Sequence, residues 1–97
     1  MFSIILTSDA EDDLSDLAKD RSKARIYKAV SKAIRLLQAN PRHPGLKTHK
    51  FTSKQGPNGE DVFEAYAQNN TPGAYRVFWY YGPKKKEITV FAITPHP

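Results

Sequence analysis

Arg76 occupies the least expected position for a charged residue in this 97-residue chain. It stands inside AYRVFWYY (Ala74 to Tyr81), a run whose aromatic and β-branched content predicts a strand. A guanidinium stays protonated and presents a planar fork, so one fixed on a strand suits the oxygens of a phosphate. Its other use is an ion pair with Glu64 across the ladder, a contact worth little if exposed. Glu64 lies in VFEAYAQ, where period-two alternation sets Val62, Glu64, Tyr66 and Gln68 against Phe63, Ala65 and Ala67. In the next strand Arg76, Phe78 and Tyr80 oppose Tyr75, Val77, Trp79 and Tyr81. If helices cover Phe63, Ala65, Val77 and Trp79, then Glu64, Tyr66 and Arg76 look out from the open face.

The remaining chemistry-bearing groups exclude more than they suggest. His43 and His49 lie six apart in a loop and His96 is penultimate, with no carboxylate at ligand spacing, so no metal site is expected. The absence of cysteine removes a thiol nucleophile, a Cys-ligated zinc and a disulfide framework, and fits a reducing cytosol. Phosphate-loop, dinucleotide, zinc-protease, nucleophile-elbow and EF-hand patterns are missing, so no cofactor is expected. The aromatic strand lacks the glycine pattern of an RNA-recognition motif, and the element order is wrong for one.

Those residues must be positioned by few elements. Ninety-seven residues, 39% of them hydrophobic, make one globular domain over residues 1–97. Phe2 to Thr7 (FSIILT) reads as a buried strand; its apolar run is too short and too acid-flanked for a signal peptide or membrane span. Ser8 and Glu11 have the spacing of a capping box, which makes the following acids a helix start rather than a metal cluster. That helix carries Leu14, Leu17 and Ala18 and falters between Asp20 and Ser22. A second helix buries Ile26, Val30, Ala33, Ile34 and Leu37 at three- and four-residue spacing. Its opposite face carries Arg21, Arg25, Lys28, Lys32 and Arg35, by default a solvated stripe. Asn40-Pro41 ends it, and NPRHPGLKTHKF reads as a proline-punctuated turn. The turns GPNGED, NNTPG and GPKKK then separate three strands, the last being Glu87 to Thr94. The expectation is an α+β fold of order β-α-α-β-β-β, with a helical hairpin on one face of an antiparallel sheet.

Charge is divided unevenly along this order. The first 20 residues hold six acids and one base, whereas the other 77 hold fourteen bases and four acids, a balance of +10. A basic body of that density attracts a polyanion or an acidic protein segment.

A strand, a helical hairpin ending in L-x-x-N-P, the basic Leu46-Lys47, the strand opening Tyr75-Arg76-Val77 and a final strand ending A-I-T-P-H together resemble the RelE/ParE superfamily of bacterial toxins. The resemblance spans nearly the whole chain. It implies a curved antiparallel sheet with an N-terminal helical hairpin, a cytoplasmic protein, and a cognate antitoxin that is acidic and partly disordered. Two activities divide the superfamily: RelE-like and YoeB-like members cleave mRNA on the ribosome, and ParE-like members inhibit DNA gyrase. A catalytically silent antitoxin-binding protein of the same fold is the third possibility.

The nuclease branch implies roles for particular residues. Arg76 matches the arginine that stabilises charge on the scissile phosphate, and His96 falls where YoeB-like members carry a catalytic histidine. Cleavage through the RNA 2′-hydroxyl needs a base, a cation at the phosphate and an acid for the departing 5′-oxygen. Glu64 is the candidate base, Arg76 the cation and His96 the acid, since imidazole titrates close to neutrality. Lys47 and Lys50 fall near a segment that contacts RNA in several members, and Tyr66 and Tyr80 are candidates for stacking on bases. Glu64, Arg76 and His96 should then converge in one exposed concavity.

Overall fold

The computed structural model describes residues 1–69 and 71–96. Its elements are β1 (Ser3–Leu6), α1 (Ser8–Lys19), α2 (Ala24–Ala39), β2 (His49–Gln55), β3 (Asp61–Tyr66), β4 (Tyr75–Tyr81) and β5 (Glu87–Pro95), with single 3-10 turns at Arg21–Lys23 and Pro44–Leu46. The strands form one sheet in the order β1-β5-β4-β3-β2. β1 runs parallel to β5, and every other neighbouring pair is antiparallel. The α+β architecture with its helical hairpin is as expected. Two features depart from the expected order: a further strand, β2, and a parallel rather than antiparallel pairing for β1.

β2 escaped the periodicity reading because HKFTSKQ holds a single large apolar residue, Phe51, and is exposed along nearly its whole length. It is an edge strand, where lysines such as Lys50 and Lys54 discourage pairing with other chains. The parallel pairing of β1 has a topological origin. Both helices lie between β1 and the meander, so the chain has room to cross over before β5 arrives alongside.

Thr7, not Ser8, caps α1. Its hydroxyl accepts a hydrogen bond from the Ala10 N–H at 3.2 Å, and its carbonyl accepts from the Glu11 N–H at 2.8 Å. At the hairpin between the helices, Asp20 caps the turn, its carboxylate accepting from the Ser22 N–H and hydroxyl.

One face of the sheet packs on the helices as strand parity requires. Ala65, Val77, Trp79, Ile88, Val90 and Ile93 meet Ala10 and Leu17 of α1 and Val30, Ala33 and Leu37 of α2. The other face carries no helix, but it is not bare. Phe51 packs edge-on to Phe78 at 5.1 Å, and Phe91 lies 6.3 Å from Phe78 and 6.0 Å from Tyr80. A bulge puts Phe91 there, because β5 pairs Ala92 with Phe78 and Val90 with Trp79, leaving Phe91 as the extra residue. This aromatic layer explains why the second face buries its polar residues too.

Candidate active site

Glu64 and Arg76 lie on the helix-free face, where alternation places them, but they are buried rather than exposed, at 6% and 7% accessibility. Glu64 stands opposite Phe78 and Tyr66 opposite Arg76, so the two charges are diagonal neighbours across β3 and β4. The Arg76 Nε lies 3.7 Å from the Glu64 Oε2. His96 follows β5 directly; its backbone N–H donates to the Ala74 carbonyl at 2.7 Å, and its Nδ1 sits 3.4 Å from the same Glu64 oxygen. One carboxylate oxygen thus faces a guanidinium and an imidazole. Both contacts are within ion-pair range, yet neither has hydrogen-bond geometry, and Glu64 Oε2 and Arg76 Nε make no hydrogen bond among the described residues. Buried charges left short of hydrogen bonds cost free energy unless a further group satisfies them.

Four groups hold the guanidinium, the Tyr75 carbonyl at 3.4 Å from Nη1 being the weakest. Its Nη1 donates to the Gln68 carbonyl at 2.7 Å, its plane lies over the Tyr66 ring at 3.6 Å, and Glu64 faces its Nε. Tyr66 is fixed in turn by His49, whose Nε2 lies 3.1 Å from the phenol oxygen with the rings edge-to-face at 5.1 Å. His96 is the solvent-facing member, with its side chain 52% exposed. The arrangement offers a held cation, a carboxylate and an accessible imidazole within one small volume, a set able to neutralise a phosphate and move protons on either side of it.

The other sequence candidates fall elsewhere. Lys50 pairs in register with Phe63, on the helix side, and its ammonium meets Asp61 at 3.2 Å. Lys47 lines a helix-side cavity beside Phe63 and Trp79. Both therefore lie on the opposite side from Glu64, Arg76 and His96: register turns Lys50 toward the helices, and the turn Pro44–Leu46 delivers Lys47 to the same side. Tyr80 is buried against Phe91, four residues along β4 from Arg76, and presents little ring for a base to stack on. Tyr66 has one side of its ring taken by Arg76.

Sequence reading missed His49 and Lys54, both on β2. His49 is the cross-strand partner of Glu64, and Lys54 reaches across the face to within 5.5 Å of the Phe91 ring centre. The signal was present only conditionally: once residues 49–55 are a strand, parity puts His49 beside Tyr66. Among the described residues no three His, Asp or Glu side chains gather as metal ligands, and no helix is long and apolar enough to cross a membrane.

No family model matches the sequence, and no curated protein does. Solved structures do match in shape. A YoeB/ParE toxin from Agrobacterium tumefaciens is 14% identical, with a TM-score of 0.72 over 99% of this chain and 100% of that one. A chain of the archaeal RelE-RelB complex from Pyrococcus horikoshii OT3 is 16% identical, with a TM-score of 0.65 over 97% of this chain and 93% of that one. A copper-bound mutant toxin from Helicobacter pylori is 17% identical, with a TM-score of 0.64 over 99% and 96%. The fold of this chain is that of the RelE/ParE toxins.

Proposed function

We propose that the protein is the toxin of a toxin-antitoxin pair and cleaves mRNA on the ribosome. The observation that carries this reading is the meeting of Arg76 and His96 at one oxygen of Glu64, on the helix-free face of a toxin fold. In the proposed step Glu64 removes the proton of an RNA 2′-hydroxyl, whose oxygen attacks the adjacent phosphorus. Arg76 neutralises the crowded phosphate, and protonated His96 donates to the departing 5′-oxygen. The products are a 2′,3′-cyclic phosphate and a free 5′-hydroxyl. Tyr66 and the Gln68 carbonyl act as positioning groups for Arg76. With Lys47 and Lys50 on the other face, His49 and Lys54 are the basic groups nearest to an RNA strand on this one.

The excess of +10 beyond residue 20 suits an acidic, partly disordered cognate antitoxin, and the RelE-RelB neighbour is itself a complex. A cytoplasmic site of action follows from this reading. A second reading, a silent antitoxin-binding protein, draws on the burial of Arg76 and its bond to the Gln68 carbonyl, which occupy part of the fork that phosphate needs.

Expression in a bacterial host, with mapping of mRNA 5′-ends, separates the possibilities. Growth arrest accompanied by new ends within open reading frames supports cleavage. Arrest with intact mRNA and trapped gyrase–DNA complexes transfers the protein to gyrase inhibition, and no arrest points to the silent reading.

A further inference from the structure

A feature that the proposed chemistry does not use lies on the other side of the sheet. A cavity of about 390 Å³ sits between the end of α2 and the edge of the sheet, within the size range of small-ligand sites. Its walls are two prolines, Pro41 and Pro44, and the rings of Phe63, Trp79 and Tyr81. Phe63 stacks on Trp79 at 4.9 Å and Tyr81 meets Trp79 edge-on at 4.9 Å, so the aromatic wall is rigid, and Tyr81 leaves 40% of its surface to solvent.

Two of the residues lining this space carry a buried polar atom without a partner among the described residues. Trp79 is 1% exposed, and its indole Nε1–H, a group that can only donate, has no hydrogen-bond partner among the described residues. The buried Thr48 hydroxyl lacks one as well. His43 accepts the Gly45 N–H on its Nδ1 at 2.9 Å, which leaves Nε2–H as the donor of the neutral ring. Exposed Arg42 and Lys47 complete the lining with two positive charges. An orphaned buried donor costs free energy unless something supplies an acceptor.

We infer that this cavity binds a nucleoside 5′-phosphate unit, with the base against the aromatic wall and the phosphate toward Arg42 and Lys47. An aromatic wall by itself also suits a cation, but two adjacent positive charges exclude one. A plain inorganic anion leaves the apolar walls unused. A flat ring carrying a phosphate uses the exposed face of Tyr81 and the two basic residues together. The unit has two sources, a free mononucleotide or a nucleotide of single-stranded RNA. The inference is independent of the nuclease reading, because the cavity and the Glu64–Arg76–His96 cluster lie on opposite faces.

Trp79 is the one tryptophan of the chain, so a single indole N–H resonance in a nitrogen-15 correlation spectrum reports on the cavity. Titration with AMP or UMP is expected to move that resonance saturably. Arg42→Ala and Lys47→Ala, both exposed, should each weaken binding roughly fivefold to tenfold. A trinucleotide RNA binding more tightly than the mononucleotides assigns the site to a strand, and equal or weaker binding assigns it to a free nucleotide; either supports the inference. An unmoved indole resonance overturns it, as does a shift indifferent to both substitutions. Inorganic phosphate or an unphosphorylated nucleoside reproducing the full effect also overturns it.

Discussion

The guanidinium carbon of Arg76 lies 3.6 Å from the centre of the Tyr66 ring, and the two residues are direct cross-strand partners. The register of β3 on β4 therefore sets the stack, and the stack sets the direction of the fork. Tyr66→Phe keeps the ring and is expected to hold stability within about 0.5 kcal/mol. Tyr66→Ala removes the cation–π contact, worth up to about 2 kcal/mol when desolvated, together with ring packing. Urea unfolding of the two variants checks the difference.

The Glu64–Arg76 pair predicts strongly non-additive substitutions. Glu64→Gln leaves a buried guanidinium without its carboxylate, and Arg76→Met leaves the reverse; each should cost about 3–5 kcal/mol. The double variant removes both charges and is expected to recover most of that loss. A double-mutant cycle measured by denaturant unfolding gives the coupling directly, and additive losses contradict it.

Asp13 carries a long-range contact that its position among six early acids conceals. Its Oδ2 accepts the Ile93 N–H at 3.1 Å, tying α1 to β5 beyond Val90, where pairing with β1 has ended. Asp13→Ala should cost about 1–3 kcal/mol by orphaning that N–H, whereas Asp12→Ala, on an exposed site, should change stability by less than about 0.5 kcal/mol. Thermal melts of the two variants compare them.

Asp20 provides a pH signature. The Ser22 hydroxyl, then the Ser22 N–H, hydrogen-bond its carboxylate and hold its pKa below the ordinary value. A carboxyl depressed in the folded state stabilises it above the unfolded pKa of about 3.9, and that contribution disappears as pH falls through the lower folded value. The Ser22 amide is therefore expected to lose hydrogen-exchange protection below about pH 4 in the native chain, relative to an Asp20→Asn variant whose turn does not titrate.

These contacts mark where sequence legibility stops. Alternation alone put Glu64, Tyr66 and Arg76 on the face away from the helices, and helical spacing identified the Val30, Ala33 and Leu37 stripe that is buried. The strand His49–Gln55 had no such pattern, since only Phe51 in it is apolar. Without that strand, His49 had no register, Lys50 had no assigned face, and the cover that Phe51 and Phe91 give the second face was invisible. Burial of Glu64 and Arg76 follows from that cover. The approach of His96 to Glu64 depends on how the end of β5 pairs beside Tyr75, a long-range relationship that spacing along the chain does not encode.

The His96 side chain is half exposed, so its replacement tests chemistry with little effect on folding. The decisive measurement is cleavage of a defined mRNA by the purified protein, with and without programmed ribosomes, comparing the parent chain with His96→Ala and Arg76→Lys. The expected result is ribosome-dependent cleavage leaving 2′,3′-cyclic phosphate ends, reduced about 10²- to 10⁴-fold by His96→Ala with unfolding stability unchanged, and strongly reduced by Arg76→Lys. Cleavage by His96→Ala at the parental rate, or an intact message with the parent chain on programmed ribosomes, contradicts it.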